Sequence, residues 1–340
     1  MTITQAATET VAEVLAEGER RARQQASVSV VVPVYDERDN LRPLHQELVA
    51  CLQRLGREWE IVLVDDGSTD GSQRVLAELH AGNERTKVVL LRRNFGQTAA
   101  IAAGFDHAAG DVLVTMDADL QNDPADIPRL LAKFDEGYDV VSGWRQQRKD
   151  NWLTRRFPSA VANWLISRVT GVALHDYGCT LKAYSREVVA SLNLYGDLHR
   201  FIPALASWAG ATMAELPVNH RPRRAGRSKY GLSRTLRVLL DLLVVKFLLS
   251  YSTKPIHIFG LWGALFGLVG FLLALYLSYV KLVLRQDIGD RPLLLLAVLL
   301  IITGFQLVTM GLLAELQART YHEAQSKPVY VVRRVLGRPE

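Results

Sequence analysis

The sequence predicts an α/β domain built on a mostly parallel sheet, followed by an amphipathic helix and a two-helix transmembrane hairpin. Two observations carry that expectation. Between Ser27 and Val141, short β-branched runs alternate with stretches of helical periodicity, a pattern that calls for a mostly parallel sheet covered on both faces. Further on, Ile258–Val280 and Leu293–Ala314 contain no Asp, Glu, Lys or Arg. Each window exceeds the roughly 20 residues that a helix needs to cross about 30 Å of hydrocarbon. Whole-chain averages conceal this division: 340 residues, 49% hydrophobic, 22% charged and a formal charge of +5 resemble an ordinary soluble protein. They exclude disordered, collagen-like and low-complexity classes.

Residues 1–26 form an N-terminal extension of Ala, Glu, Arg and Gln without the apolar stretch of a signal peptide. The soluble part is therefore expected in the cytoplasm. Val28–Val34 is the first strand, and Leu41, Leu44, Leu48, Leu52 and Leu55 give Asn40–Leu55 helical spacing. Ile61–Val64 is the second strand, Asp70 caps a helix running to Leu79, and Lys87–Leu91 is the third strand. A helix holding Ala99–Ala109 ends at Gly110, and Val112–Met116 is the fourth strand. Asp123, Pro124 and Asp126 open another helix with an N-cap acceptor, a first-position Pro and a first-turn carboxylate.

After Val141 the pattern loosens into a helix over Ser159–Val169, an irregular Gly171–Cys179 and a helix over Arg200–Ala209. Leu232–Leu249 sets Leu236, Leu239, Leu240 and Leu243 against Arg234, Arg237 and Lys246. It reads as a helix in the membrane interface, with a surface helix packed on the domain as the alternative. The expected boundaries are a domain over 27–230, the interfacial helix over 231–255, and the spans over 256–315 (257–281 and 292–314). A cytoplasmic tail follows over 316–340. A buried hairpin of a soluble protein is the competing account of the spans. Gly260, Gly263, Gly267 and Gly270 share one side of the first span, where another helix, from the second span or another subunit, could approach closely. Lys246, Lys254, Arg319, Lys327, Arg333 and Arg334 favour cytoplasmic ends, while Lys281, Arg285 and Arg291 pull the other way. Cys51 and Cys179 are too few for a disulfide framework or a Cys-based zinc site.

The strongest chemical signal is Asp117-Ala118-Asp119-Leu120-Gln121 at the end of the fourth strand. In such sheets ligands bind beyond the carboxyl ends of the strands. Two carboxylates there can share a hard divalent cation, directly or through water, and leave sites for substrate phosphates. Val64-Asp65-Asp66-Gly67-Ser68 ends another strand, where a carboxylate could accept from a nucleobase or ribose or simply shape a turn. No dinucleotide fingerprint, Walker loop or zinc-protease motif is present. Arg221, Arg223, Arg224, Arg227 and Lys229 form one basic cluster; Arg145, Arg148, Lys149, Arg155 and Arg156 form a looser one. Two such clusters could hold two phosphorylated ligands or touch anionic lipid. No nucleic-acid fold motif accompanies them.

Val32–Glu37, Val64–Ser68, Arg93–Gln97, Asp117–Gln121 and Arg223–Tyr230 together resemble glycosyltransferase family 2. The resemblance is to its polyprenyl-phosphate sugar transferases and runs from Ser27 to Val332. Leu120–Asn122, Glu136–Val141 and Asp176–Cys179 are most similar to the undecaprenyl-phosphate 4-deoxy-4-formamido-L-arabinose transferases. Bactoprenol glucosyltransferases and dolichyl-phosphate mannose synthases come next. The chain departs from that pattern at Ala314–Arg319, where a Gly-Glu-Tyr-x-Gly-Arg stretch is usual, and it lacks the Gln-x-x-Arg-Trp motif of processive synthases.

The resemblance implies a GT-A domain with Pro33, Tyr35, Glu37, Val64 and Asp66 around the base and ribose. It implies Mg²⁺ or Mn²⁺ at Asp117 and Asp119 with Gln121 nearby, Ala118 lying beside the donor. Arg145, Arg156 and Ser159 match positions holding the lipid phosphate; Arg223 and Lys229 match a clamp on the nucleotide diphosphate. Asp176 matches a position assigned either as a base or as an orienting residue. The implied reaction moves one sugar with inversion from a nucleotide-sugar to undecaprenyl phosphate at the bacterial inner membrane. UDP-4-deoxy-4-formamido-L-arabinose and UDP-glucose are the donors considered, and a homotetramer is the expected assembly. The rival from another class is a non-catalytic, nucleotide-binding subunit of a translocation system.

Overall fold

The computed structural model describes residues 18, 20–146, 163, 166–168, 170–192, 194, 198–222, 256–289, 292–324 and 329–337. The expected interfacial helix at 231–255 lies outside the described residues, as does most of the helix expected at 159–169. Two compact units emerge, Met1–Leu242 with Pro328–Glu340, and Leu243–Lys327.

In the first unit the β-branched runs become β1 (Val28–Val34), β2 (Trp59–Asp65), β3 (Thr86–Leu91) and β4 (Val112–Thr115), each parallel to its neighbours in the order β3-β2-β1-β4. They alternate with α1 (Arg38–Leu52), α2 (Ser72–Gly82) and α3 (Gln97–His107). Both faces are buried, which is why the strands read as continuous apolar runs. Val28, Val30, Val32 and Val34 face one core layer with Leu44, Leu48 and Leu76, and Val31 faces the other with Ala100, Ile101 and Phe105. Gly104 lets α3 lie directly on the sheet, since a Cβ there would stand 2.2 Å from Val31 Cγ1. The N-cap of α2 is Gly71 and not the expected Asp70, which stands one residue earlier; the Asp70 carboxylate accepts from Ser72 N at 2.9 Å and from Arg38 N at 3.0 Å, at the starts of two helices.

Beyond β4 the sheet becomes mixed. After a 3-10 turn at Pro124–Asp126 come α4 (Ile127–Phe134) and β5 (Val140–Trp144), then β6 (Lys182–Ser185), α5 (Arg186–Ala190), α6 (Ile202–Trp208) and β7 (Met213–Pro217). β6 is antiparallel to both β4 and β5, and β7 is parallel to β5. The sheet is therefore mostly parallel, as expected, with β1–β5 and β7 running in one sense and β6 against them. β5 runs in the same sense as β4, so their carboxyl ends share one edge of the sheet.

The last strand, β8 (Val332–Leu336), pairs antiparallel with β3. Part of the stretch expected as a cytoplasmic tail over 316–340 thus completes the sheet. Tyr330 is buried and donates to Asp106 Oδ2 at 2.6 Å, and Arg92 N donates to Val331 O at 2.9 Å.

The second unit contains α7 (Ile256–Leu282) and α8 (Pro292–Ala324). Phe259–Leu282 and Pro292–Leu313 are long and apolar enough to cross a membrane. Leu261, Leu268, Phe271, Leu295, Leu299 and Phe305 are more than half exposed, unlike the core helices of a soluble protein. Small residues bring the two helices together: a Cβ on Gly304 would lie 2.6 Å from Gly263 O, and one on Gly270 would lie 2.9 Å from Ala297 O. Of the glycines on that side of the first span, Gly263 and Gly270 thus face the second span.

Candidate active site

The carboxyl ends of β1, β2, β4 and β5, together with the segment entering β6, carry those sequence-predicted residues that the structure describes. After β1, the exposed Tyr35 leads to Asp36 at φ +52°, whose carboxylate accepts from Thr69 N at 2.8 Å. Ser68 Oγ takes Asp36 N at 2.9 Å, which interlocks the loops after β1 and β2. Glu37 Oε2 accepts from Asn40 Nδ2 at 2.6 Å and holds the first turn of α1.

Asp66 is buried, and its oxygens accept from Phe95 N at 2.7 Å and Gly96 N at 2.9 Å. Burial pushes its carboxyl pKa up, the two backbone amides pulling the other way. Gly67, at φ +73°, passes under the same loop, where a Cβ would lie 2.5 Å from the Arg93 carbonyl carbon. Asp66 therefore clasps the 92–96 loop. Val64, expected beside the nucleotide, instead has its side chain wholly in the core, with Val62 and Val89.

After β4 the backbone turns sharply: Leu120, between Asp119 and Gln121, is buried at φ +62°, a conformation that a branched residue keeps only under constraint. Asp117 Oδ1 accepts from Gln97 Nε2 at 2.7 Å, and Asp119 Oδ1 accepts from Gln121 N at 3.1 Å. Ala118 is buried beneath them. The turn is tied to the segment after β7, where Arg221 N donates to Gln121 O at 2.9 Å and Asn122 bridges His220. Arg221 itself is not a spare phosphate ligand. Its guanidinium meets Glu47 and Asp123, each at 2.6 Å, and so braces the 3-10 turn against α1.

No third His, Cys, Asp or Glu joins Asp117 and Asp119 in a metal-binding group among the described residues. Two neighbouring carboxylates at a strand end fit a hard divalent ion that completes its shell with phosphate oxygens and water. A structural zinc would need a closed set of four.

Beyond β5, Arg145 and Asp176 form a two-pronged ion pair, Nε to Oδ2 at 2.7 Å and Nη2 to Oδ1 at 3.0 Å. Arg145 N and Gly178 N also donate to this carboxylate, at 3.3 and 3.1 Å. Burial opposes the Arg145 charge, but the Asp176 bonds outweigh it and hold the guanidinium above its ordinary range, with a further contribution from Asp117. Lys182, buried at the start of β6, donates to Tyr177 O at 3.2 Å, and burial pushes its ammonium down to about 8. Arg156, Ser159, Arg223 and Lys229 lie outside the described residues. Gln97, Asn122 and Lys182 were not singled out in the sequence for any role. Gln97 stood inside the Arg93–Gln97 stretch, the only signal that could have found it.

Residues 29–192 match the model of a family described as Glycosyl transferase family 2. The chain is 44% identical over 317 residues to the dodecaprenyl-phosphate galacturonate synthase of Rhizobium johnstonii, covering 92% of this chain and 94% of that one. It is 42% identical over 315 residues to the undecaprenyl-phosphate 4-deoxy-4-formamido-L-arabinose transferase of Klebsiella pneumoniae, with the same coverage of 92% and 94%. Among solved structures, the fold is similar to glucosyl-3-phosphoglycerate synthase from Mycobacterium tuberculosis, crystallised with Mn²⁺, uridine diphosphate and glucosyl-3-phosphoglycerate. There the TM-score is 0.54 at 20% identity, over 68% of this chain and 83% of that one. That likeness bears on the fold, a GT-A type of mixed sheet.

Proposed function

The chain belongs to glycosyl transferase family 2, and we propose that it transfers one sugar, with inversion, from a UDP-sugar to undecaprenyl phosphate at the cytoplasmic face of a membrane. The observation that carries this reading is the gathering of Asp117, Asp119 and the Arg145–Asp176 pair at one sheet edge, in a chain that also has two membrane-length apolar helices. Carboxylates suit the donor's metal, and an arginine suits the acceptor's phosphate. The bacterial relatives, named for polyprenyl-phosphate acceptors, support a lipid acceptor. Their sugars differ, and galacturonate joins the donors considered from the sequence.

Asp117 and Asp119 would hold Mg²⁺ or Mn²⁺, which neutralises charge on a leaving diphosphate; the Mn²⁺ and uridine diphosphate of the mycobacterial structure support this choice. Tyr35, Pro33, Glu37 and Asp66 border the base and ribose, and Arg223 and Lys229 meet the diphosphate. Arg145, with Arg156 and Ser159, receives the acceptor phosphate. With a second pKa near 6, by analogy with phosphorylated side chains, that phosphate is mostly dianionic at pH 7 and needs alignment more than deprotonation. Asp176, already accepting from Arg145 through both oxygens, orients the arginine. A non-catalytic subunit is disfavoured because the catalytic-type carboxylates are present and the spans carry no intramembrane charge to line a path.

Undecaprenyl phosphate incubated with a panel of radiolabelled UDP-sugars, including glucose, galacturonate and 4-deoxy-4-formamido-L-arabinose, tests the proposal. Label entering a chloroform-soluble product with release of UDP supports it. Nucleotide binding without any such product refutes it.

A further inference from the structure

We propose that Glu215 is a positioning residue for the acceptor end of the site, acting through Asp176 on Arg145. The inference rests on the reading of Arg145 as an acceptor-phosphate ligand. Glu215 projects from β7, where it pairs in register with Ser142 of β5, two residues before Trp144. Its side chain is only 13% exposed. The carboxylate accepts from His175 N at 2.8 Å, from Asp176 N at 3.3 Å and lies 2.7 Å from His175 Nδ1. The turn carrying Asp176 is thus fastened to the sheet by one side chain.

A second contact fixes the same turn: the His175 ring stacks on Trp144 at 4.3 Å with 20° between planes. Trp144 immediately precedes Arg145, and His175 immediately precedes Asp176. The stack and the ion pair are therefore successive rungs between the end of β5 and the turn, and Glu215 closes the frame from β7. A carboxylate is suited to this task because one group must receive two consecutive backbone amides and a ring nitrogen. Arg145 would otherwise be free to swing on its flexible side chain, and the Asp176 carboxylate can hold it only if the turn stays in place.

Glu215→Gln in the full-length protein keeps one acceptor oxygen and most of the shape. The expected result is a KM for undecaprenyl phosphate raised about 3- to 10-fold, the loss of roughly one hydrogen bond, with kcat and the UDP-sugar KM within about twofold. Combined with Arg145→Lys, the Glu215→Gln effect should largely vanish, since both act on one contact. His175→Ala, which leaves both backbone bonds to Glu215 in place, should have a smaller effect on the same constant. If Glu215→Gln does not accumulate, Glu215→Asp, which withdraws the carboxylate by one methylene, carries the same expectation. Hydrogen exchange gives a readout independent of turnover: the Arg145, Asp176 and Gly178 amides should lose protection in the variant while those of β1 and β2 do not. Unchanged protection at these three amides, equal shifts in both KM values, or full additivity with Arg145→Lys overturns the proposal. A wild-type protein that transfers no sugar to undecaprenyl phosphate refutes the functional reading instead, and the exchange pattern still decides whether Glu215 fixes Arg145.

Discussion

Asp176→Asn separates two roles that a carboxylate beside an acceptor site can play. The native side chain accepts from Arg145 Nε at 2.7 Å, Arg145 Nη2 at 3.0 Å, Gly178 N at 3.1 Å and Arg145 N at 3.3 Å. An amide keeps one accepting oxygen, turns an NH₂ group toward the guanidinium and removes the counter-charge of an arginine whose side chain is 19% exposed. Losing one hydrogen bond to a charged group costs about 1.5–3 kcal/mol, or roughly 10- to 150-fold in the affinity of a ligand that depends on the position of Arg145. The expected result is a rise of that order in KM for undecaprenyl phosphate, with kcat reduced less than about tenfold and the UDP-sugar KM within about twofold. Initial rates with each substrate varied in turn, at pH 6.5, 7.5 and 8.5, measure all three. An acceptor that is already dianionic has no proton for Asp176 to remove, so the variant should keep the pH profile of the wild type. A general base would show itself differently, as a loss of about 10²–10⁴ in kcat. Such a loss with the acceptor KM unchanged refutes the positioning role.

Asp119→Asn should abolish Mn²⁺- or Mg²⁺-dependent transfer and weaken Mn²⁺ binding measured by electron paramagnetic resonance, while circular dichroism in detergent stays native; full turnover in this variant removes Asp119 from the metal site. Burial, with Arg200 and Lys182 nearby, pushes the His199 imidazole down to about 3. The unfolded chain therefore binds a proton that the folded chain refuses between about pH 6.5 and 3, and stability falls as pH drops through that window. His199→Gln, whose amide can still meet Thr98 Oγ1, 2.9 Å from the imidazole, should flatten this acid limb in a series of melting curves; an unchanged limb assigns it to other groups. Gly304→Val would force its Cβ to within 2.6 Å of Gly263 O, and such overpacking typically costs about 1–3 kcal/mol. A lowered melting temperature in detergent is expected, and an unchanged one contradicts the close helix crossing.

The first four strands were legible because a strand buried on both faces must be apolar at every position, as β1 is with Val31 opposite Val30 and Val32. The later strands lack that signature. β6 is four residues long and opens on Lys182, which is tolerated because its ammonium meets Tyr177 O. β7 is a half-exposed edge strand ending in Pro217, and β8 carries Arg333 and Arg334 on an exposed edge. Neither alternates strongly enough to be read locally. In the site, Asp117 and Asp119 were legible from their place after a buried strand. Arg221 was counted in a basic cluster that could hold a phosphorylated ligand or touch lipid because Glu47, which occupies it together with Asp123, is far away in the chain. Glu215 carried no signal at all, since its partners are backbone amides on another loop.

The same distant pairing constrains the membrane arrangement more firmly than the flanking charges do. The chain leaves the sheet after β7, runs through α7 and α8, and returns as β8 to pair with β3. Any membrane crossed in between must be crossed an even number of times, because one folded sheet occupies one side. A single crossing by either apolar helix would strand β8 away from β3 and expose the edge that Leu91, Val89 and Val88 present to it. Between β7 and β8 the described residues hold two helices of membrane length, α7 and α8. Their bare apolar flanks, with Leu268, Phe271, Leu299 and Phe305 uncovered, favour crossing. Lys281 stands in the last turn of α7, and in sequence Arg285 and Arg291 follow it, the three charges that pull against the flanking ones. Strand pairing thus bears on the number of crossings, which flanking charges alone do not address: separating β8 from β3 would cost a ladder of backbone bonds.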